Sequence, residues 1–361
     1  MGDKIQFWRD VDVYQNRYAY VAAQTGGHLY VIDLSTLNDR NGVRYVNRFR
    51  LNYGHTLTVS NEEGYLILNT ANTPGIVNED RRNKAVLGCQ IFDIHSNPWN
   101  PSYVAAYEHG DCHDSSIHRF PLKDRRGRIE ERPVLISADG YHGLWSFVDF
   151  DKVLEGRTSK SQLVLGQTSP LSQYEYAHSH TFDERNKLLY VFEETDTYDI
   201  AVWNVSDPTQ PSYLQSFGKT NIPVHNGHIH YAEEDNQICL LVAYYMAGFC
   251  VYDVTSSSLI EEVGSYATSK DTPSVSGLPY GAWNLHAQLG KILVSDTDEG
   301  LQIYTLRTDS PSVSPSLPPS SSLFPNNITT LEEYLSAFCI AGNMPVELKD
   351  GSIKRIEDLK V

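Results

Sequence analysis

The residues of this chain best suited to chemistry are its histidines, and their spacing is regular. Counting ten residues back from an apolar strand lands on His55 before Tyr65, His178 before Leu188 and His228 before Ile238, and the same count from Tyr20 lands on Asp10. His180 and His230 follow two residues later, so each shares a strand face with its predecessor, because strand side chains alternate. His113, followed by Asp114, and His286 fall on the matching polar strands of two further units with different loop lengths. Neutral imidazole is the commonest transition-metal ligand, so convergence of these groups with a carboxylate would make a site for a divalent metal or copper. Such binding would weaken as pH falls through about 6.5, where free imidazole protonates. The alternative is structural, each imidazole tying one strand set to the next by hydrogen bonds. The pairs His178-Ser179-His180 and His228-Ile229-His230 are the strongest ligand candidates.

The elements that must position these side chains repeat along the chain. Val31-Ile32-Asp33-Leu34, Ile91-Phe92-Asp93-Ile94, Phe147-Val148-Asp149-Phe150 and Val251-Tyr252-Asp253-Val254 share one pattern, and Val202-Trp203-Asn204-Val205 and Ile303-Tyr304-Thr305-Leu306 fill the same slot. An apolar strand precedes each, a Gly- or Asp-rich turn joins the two, and a polar, often His-bearing strand lies upstream. Six such units recur at roughly 45 to 65 residues, the range of propeller blades with loop insertions. The expected fold is all-β, a propeller of six or seven four-stranded blades over residues 4–307. A β-sandwich is the competing architecture. In a propeller the first strand of each blade is innermost, so the histidines should meet near the central channel.

Two links between units read alike: Ile94-His95-Ser96-Asn97-Pro98-Trp99-Asn100-Pro101-Ser102-Tyr103 and Val205-Ser206-Asp207-Pro208-Thr209-Gln210-Pro211-Ser212-Tyr213. Two prolines three apart fix the backbone where the chain passes to the next strand. Here the sequence resembles the LVIVD-repeat propellers, in detail those called choice-of-anchor B, from about Trp8-Arg9-Asp10-Val11 to Leu306. The resemblance implies a secreted or surface-held propeller.

After Leu306 the composition changes. Residues 308–328 form a Ser/Pro-rich linker that cannot bury a core and should be exposed and mobile. Residues 329–361 start with a short capped helix at Thr329-Thr330-Leu331-Glu332-Glu333-Tyr334. From Cys339-Ile340-Ala341-Gly342 through Asp350-Gly351 to Ile356-Glu357-Asp358-Leu359 the chain resembles the opening of the Hint module of hedgehog autoprocessing domains and inteins. The resemblance implies that Cys339 is the nucleophile of an N-to-S acyl shift on the carbonyl of Phe338 in a longer precursor. The 361-residue polypeptide is expected to be inert in self-cleavage.

Composition excludes several classes. A net charge of −16 opposes binding to nucleic acid, whose affinity comes from Lys and Arg. No apolar run reaches the length of a transmembrane helix, and Met1-Gly2-Asp3-Lys4 lacks the apolar core of a secretory leader. Five cysteines follow no zinc spacing; Cys239 and Cys250 could face each other across a hairpin, although buried free thiols are the commoner outcome. Sequons stand at Asn204 and Asn327. No nucleophile elbow, phosphate-cradling loop or dinucleotide fingerprint occurs.

The leading expectation is a secreted or cell-surface binding propeller, N-terminal cargo of a Hint-type precursor, with an unknown protein, glycan or small-molecule ligand. No cofactor is fixed by the sequence; a divalent metal or copper ion in the channel is the candidate. The rival is a metal-dependent hydrolase or oxidase using the histidine ring.

Overall fold

The computed structural model describes residues 9–23, 28–35, 44–50, 54–70, 88–124, 126–168, 176–194, 200–219, 222–232, 236–268, 281–288, 291–297, 299–305, 345–347 and 353–355. Blade 1 comprises β1 (Arg9–Tyr14), β2 (Tyr18–Ala23), β3 (His28–Asp33) and β4 (Arg44–Arg50). Blade 2 comprises β5 (Leu57–Ser60), β6 (Tyr65–Leu68), β7 (Cys89–Asp93) and β8 (Ser102–Tyr107). In blade 3, β9 (Asp114–Lys123), β10 (Ile129–Ala138) and β11 (Trp145–Asp149) are followed by helices α1 (Phe150–Leu154) and α2 (Lys160–Leu163) before β12 (Val164–Gln167). Blade 4 is β13 (Ser179–Asp183), β14 (Leu188–Phe192), β15 (Ile200–Asn204) and β16 (Ser212–Phe217). Blade 5 is β17 (Gly227–Tyr231), β18 (Ile238–Ala243), β19 (Phe249–Ser256) and β20 (Leu259–Tyr266). Blade 6 has three strands among the described residues, β21 (Ala282–Gln288), β22 (Lys291–Asp296) and β23 (Gly300–Thr305). Each blade is an antiparallel meander in chain order.

Six apolar clusters join the blades in pairs. They include Leu57 with Tyr20, Leu135 with Ile91, Leu189 with Phe147, Leu240 with Tyr190, and Leu285 with Leu241. The sixth packs Val11 and Val13 of β1 against Leu293 of β22. Blade 6 therefore meets blade 1, and the ring closes with six blades. Packing on both faces explains why second strands such as β14 and β18 are continuous apolar runs, every residue buried. The outer strands β16 and β20 face water on one side and carry mixed sequences.

An Asp, or in blade 4 an Asn, at the third-strand position turns the chain in blades 1 to 5. Asp33 accepts from the Ser35 amide, Asp93 from Ser96 and Asp253 from Thr255, and Asn204 serves Ser206 in the same way. In blade 3 the equivalent Asp149 caps α1 and pairs with Arg132. Helix α1 starts at this cap, whereas α2 begins after Ser159 without a side-chain cap; the strand pattern announced neither helix.

Cys239 lies opposite Asp253 and Cys250 opposite Val242, so the two thiols do not face each other; both are buried and neither is in a disulfide, the commoner of the two outcomes the sequence allowed. The disulfide joins Cys89 and Cys112, Cα atoms 5.4 Å apart, across blades 2 and 3. Near the C-terminus β24 (Pro345–Glu347) pairs antiparallel with β25 (Ile353–Arg355), with Asp350-Gly351 between them. The Ser/Pro linker, the helix at 329–334 and Cys339 lie outside the described residues.

Candidate metal centre at the channel mouth

The inner strands β1, β5, β9, β13, β17 and β21 bring polar side chains to the axis, but in two levels rather than one. At the mouth stand His55, His113, His178 and His225, neighbouring ring centroids 4.4, 4.5 and 4.5 Å apart. His55 acts electrostatically on His178 and His225 as well as His113, so the four imidazoles share one space.

One backbone device places all four. Each donates its peptide N–H to the carbonyl at the C-terminal end of its second strand: His55 to Asn69, His113 to Ala138, His178 to Phe192 and His225 to Ala243. The ring nitrogens then tie blade to blade. His113 Nδ1 meets the His178 carbonyl at 2.8 Å, His178 Nδ1 the His225 carbonyl at 3.1 Å, and His225 Nδ1 the Trp283 carbonyl at 2.6 Å. After three of the histidines a polar residue donates to the next blade: Thr56 to the His113 carbonyl, Ser179 to that of His225 and Asn226 to that of Trp283.

A carbonyl oxygen only accepts, so Nδ1 of His113 and His178 carries the proton; at His225 the 2.6 Å contact with the Trp283 carbonyl sets the same tautomer against the Asn226 side-chain nitrogen 2.8 Å away. In a neutral ring Nε2 is then left with its lone pair. Burial keeps these rings neutral: it holds His55 down at about 4 and His113 and His225 well below the ordinary value, and it lowers His178 despite the opposing pull of Glu194. Proton competition with a metal at His178 and His225 therefore moves below the range set by free imidazole.

His178 Nε2 lies 3.6 Å from Glu194 Oε2. Two acceptor atoms at this separation call for a proton or a cation between them. One donor atom each from His178, Glu194 and His225 lies within 4.8 Å of the others. The Tyr245 hydroxyl donates to Glu194 Oε1, orienting the carboxylate. The residues thus fit a divalent ion: two neutral imidazoles with Nδ1–H anchored on carbonyls, and a carboxylate anchored by a phenol.

The other sequence candidates lie further along the inner strands β13, β17 and β21. His180 Nε2 is 2.7 Å from Ser116 Oγ, and its buried Nδ1 has no hydrogen-bond partner. His228 and His286 pack at 4.2 Å, with His230 close enough to lower both. Asp10 and Asp12 accept from the Leu57 and Val59 amides of blade 2, so these carboxylates act as inter-blade staples. Burial raises Asp12 and Asp114 to about 7.

The ten-residue count paired His228 with His55 and His178, whereas the mouth position in blade 5 belongs to His225. Sequence reasoning also missed Glu194 as a partner of His178. A signal for His225 was present: each mouth histidine precedes a short polar residue, as in His55-Thr56, His113-Asp114, His178-Ser179 and His225-Asn226.

No protein-family model and no curated protein sequence matches the chain. Solved structures do. A periplasmic gluconolactonase of Pseudomonas aeruginosa is 12% identical with a TM-score of 0.52, over 82% of this chain and 80% of that one. A Bacteroides fragilis protein provisionally assigned as a 6-phosphogluconolactonase is 11% identical with a TM-score of 0.52, over 82% and 79%. A Lactobacillus plantarum protein is 11% identical with a TM-score of 0.53, over 82% and 80%. At such identities, what this chain shares with these proteins is the propeller fold.

Proposed function

We propose that this propeller is a metal-dependent hydrolase working outside the cell, with a divalent ion held by His178, His225 and Glu194. The observation that carries the reading is the 3.6 Å approach of His178 Nε2 to the Glu194 carboxylate, with the His178 Nδ1 proton already committed to a carbonyl. Two imidazoles and one carboxylate form the ligand set of hydrolytic zinc sites that keep a position open for water. A bound ion would supply Lewis-acid polarisation and a more acidic water. The chain's own groups hold and orient it, and Tyr245 keeps Glu194 turned toward His178. The Cys89–Cys112 disulfide supports an oxidising compartment. The gluconolactonase among the structural neighbours makes lactones sensible first substrates, beside simple esters.

The test is elemental analysis of protein purified without chelators, followed by ester and lactone hydrolysis. About one zinc per chain, lost together with activity in His178→Ala and His225→Ala, is expected. Absence of any bound metal after zinc loading would sink the reading. Iron with oxygen consumption would move the assignment to an oxidase, since the same donor set holds non-haem iron.

A second reading rests on the C-terminal resemblance and on the β24–β25 hairpin around Asp350-Gly351. In it the propeller is also the N-terminal cargo of a self-cleaving precursor, with Cys339 as nucleophile.

A further inference from the structure

Two turns built alike rise beside the His178, Glu194 and His225 group. In 139–143 the His142 amide bonds the Asp139 carbonyl at 3.2 Å and the Gly143 amide that of Gly140 at 3.0 Å. In 244–248 the Ala247 amide bonds the Tyr244 carbonyl and the Gly248 amide that of Tyr245, both at 2.9 Å. Gly140 bridges Ala177, the residue before His178, and Tyr245 bridges Ala282, the residue before Trp283. Both pivots are left-handed, with φ +58° at Gly140 and +46° at Tyr245. The turns are therefore fixed to the backbone that sets the mouth.

The residue after each pivot stands at the tip. It is Tyr141 in one turn, 83% exposed, and Met246 in the other, 45% exposed. Tyr141 leans on Tyr176 with centroids 4.8 Å apart, and Tyr176 leans on His113 at 5.3 Å. Met246 follows Tyr245, whose ring is 4.9 Å from His225 and whose hydroxyl bonds Glu194. Large apolar side chains held in water on rigid turns, on blades 3 and 5 either side of a polar floor, are suited to gripping a ligand.

We infer that Tyr141 and Met246 wall a substrate cleft over the His178–Glu194–His225 floor, and that the substrate is an uncharged ester carrying a flat ring. The ring contacts the Tyr141 face and the Met246 thioether, both favourable partners for π surfaces. Glu194 and Asp111, whose Oδ2 accepts the Tyr141 amide at 3.3 Å, disfavour an anion. This inference rests on the hydrolase reading for its chemistry. Water oxygen bonds to the acyl carbon, the ester C–O bond breaks with its electron pair going to the ring oxygen, and the water proton ends on that oxygen.

The test uses zinc-loaded protein with phenyl acetate and ethyl acetate, and, independently of turnover, saturation-transfer NMR of phenol. Tyr141→Ala should raise KM for phenyl acetate roughly five- to tenfold and leave kcat within about twofold, with ethyl acetate and zinc content unchanged. The phenol signal should fall in parallel, and Tyr141→Phe should behave as wild type. Phenol binding and phenyl acetate KM that are unchanged in both Tyr141→Ala and Met246→Ala would overturn the cleft, as would an equal effect on ethyl acetate. If zinc-loaded wild type hydrolyses neither ester, the hydrolase reading falls, and phenol binding alone then decides the cleft.

Discussion

Replacing Glu194 by Gln separates a metal ligand from a mere neighbour of His178. The substitution keeps shape and an acceptor oxygen for the Tyr245 hydroxyl while removing one charge. A carboxylate charge and one unit of cation charge about 4 Å apart interact by about 4 kcal/mol at an effective dielectric near 20. The Glu194 side chain is 32% exposed, so solvent reduces this to about 2–3 kcal/mol. At about 1.4 kcal/mol per tenfold, Glu194→Gln should weaken divalent metal binding about 100-fold. Titration calorimetry with zinc, or cobalt absorption, reads this directly, and the metal-free melting temperature should stay within about 2 °C. Binding within about threefold of wild type would show that the carboxylate is no ligand and would refute the reasoning.

Other predictions follow from buried groups and from the chain's ends. Burial, then the charges of His286 and His230, hold His228 at about 3, whereas an unfolded chain takes up this proton near 6.5; its contribution to stability is therefore complete above about 6.5 and lost as pH falls toward 3, at up to about 1.4 kcal/mol per pH unit. Asp12 and Asp114, raised to about 7, act oppositely and cost stability as pH rises from about 3.8 to 7. Denaturant melts of His228→Gln should show a shallower loss than wild type between pH 6.5 and 4, and identical slopes would count against a buried neutral imidazole. Cys89→Ser together with Cys112→Ser opens a loop of separation 23 and should cost about 3 kcal/mol in urea melts; metal affinity should fall too, because Cys112 precedes His113, and no change in either would place no constraint at this bridge. Limited proteolysis should cut first between Ser310 and Ser322. A precursor carrying a whole Hint-type module from Cys339 onward should release a propeller ending at Phe338 unless Cys339 is Ala; release from that variant would end the idea.

The repeat was legible because it is local. Apolar runs such as Leu188–Phe192 follow from strands packed on both faces, and Asp33, Asp93 and Asp253 mark the turn after a third strand because a short carboxylate reaches the amide two or three residues on. These features lie within one blade, so counting along the chain finds them. The same counting misassigned blade 5, because inner strands are matched by where the second strand ends, and hairpin lengths differ between blades. It also left the blade number open, since closure lies in contacts of Val11 and Val13 with Leu293.

The sequence by itself determined an all-β ring and polar inner strands rich in histidine. Only the tertiary structure decided which imidazoles meet. His113 reaches the His178 carbonyl across 65 residues, His178 that of His225 across 47, and His225 that of Trp283 across 58. It likewise joined Glu194 to His178 and Cys89 to Cys112. The physical reason is that each of these partners is set by blade rotation about a common axis, whereas local sequence patterns specify the strand and turn within a single blade.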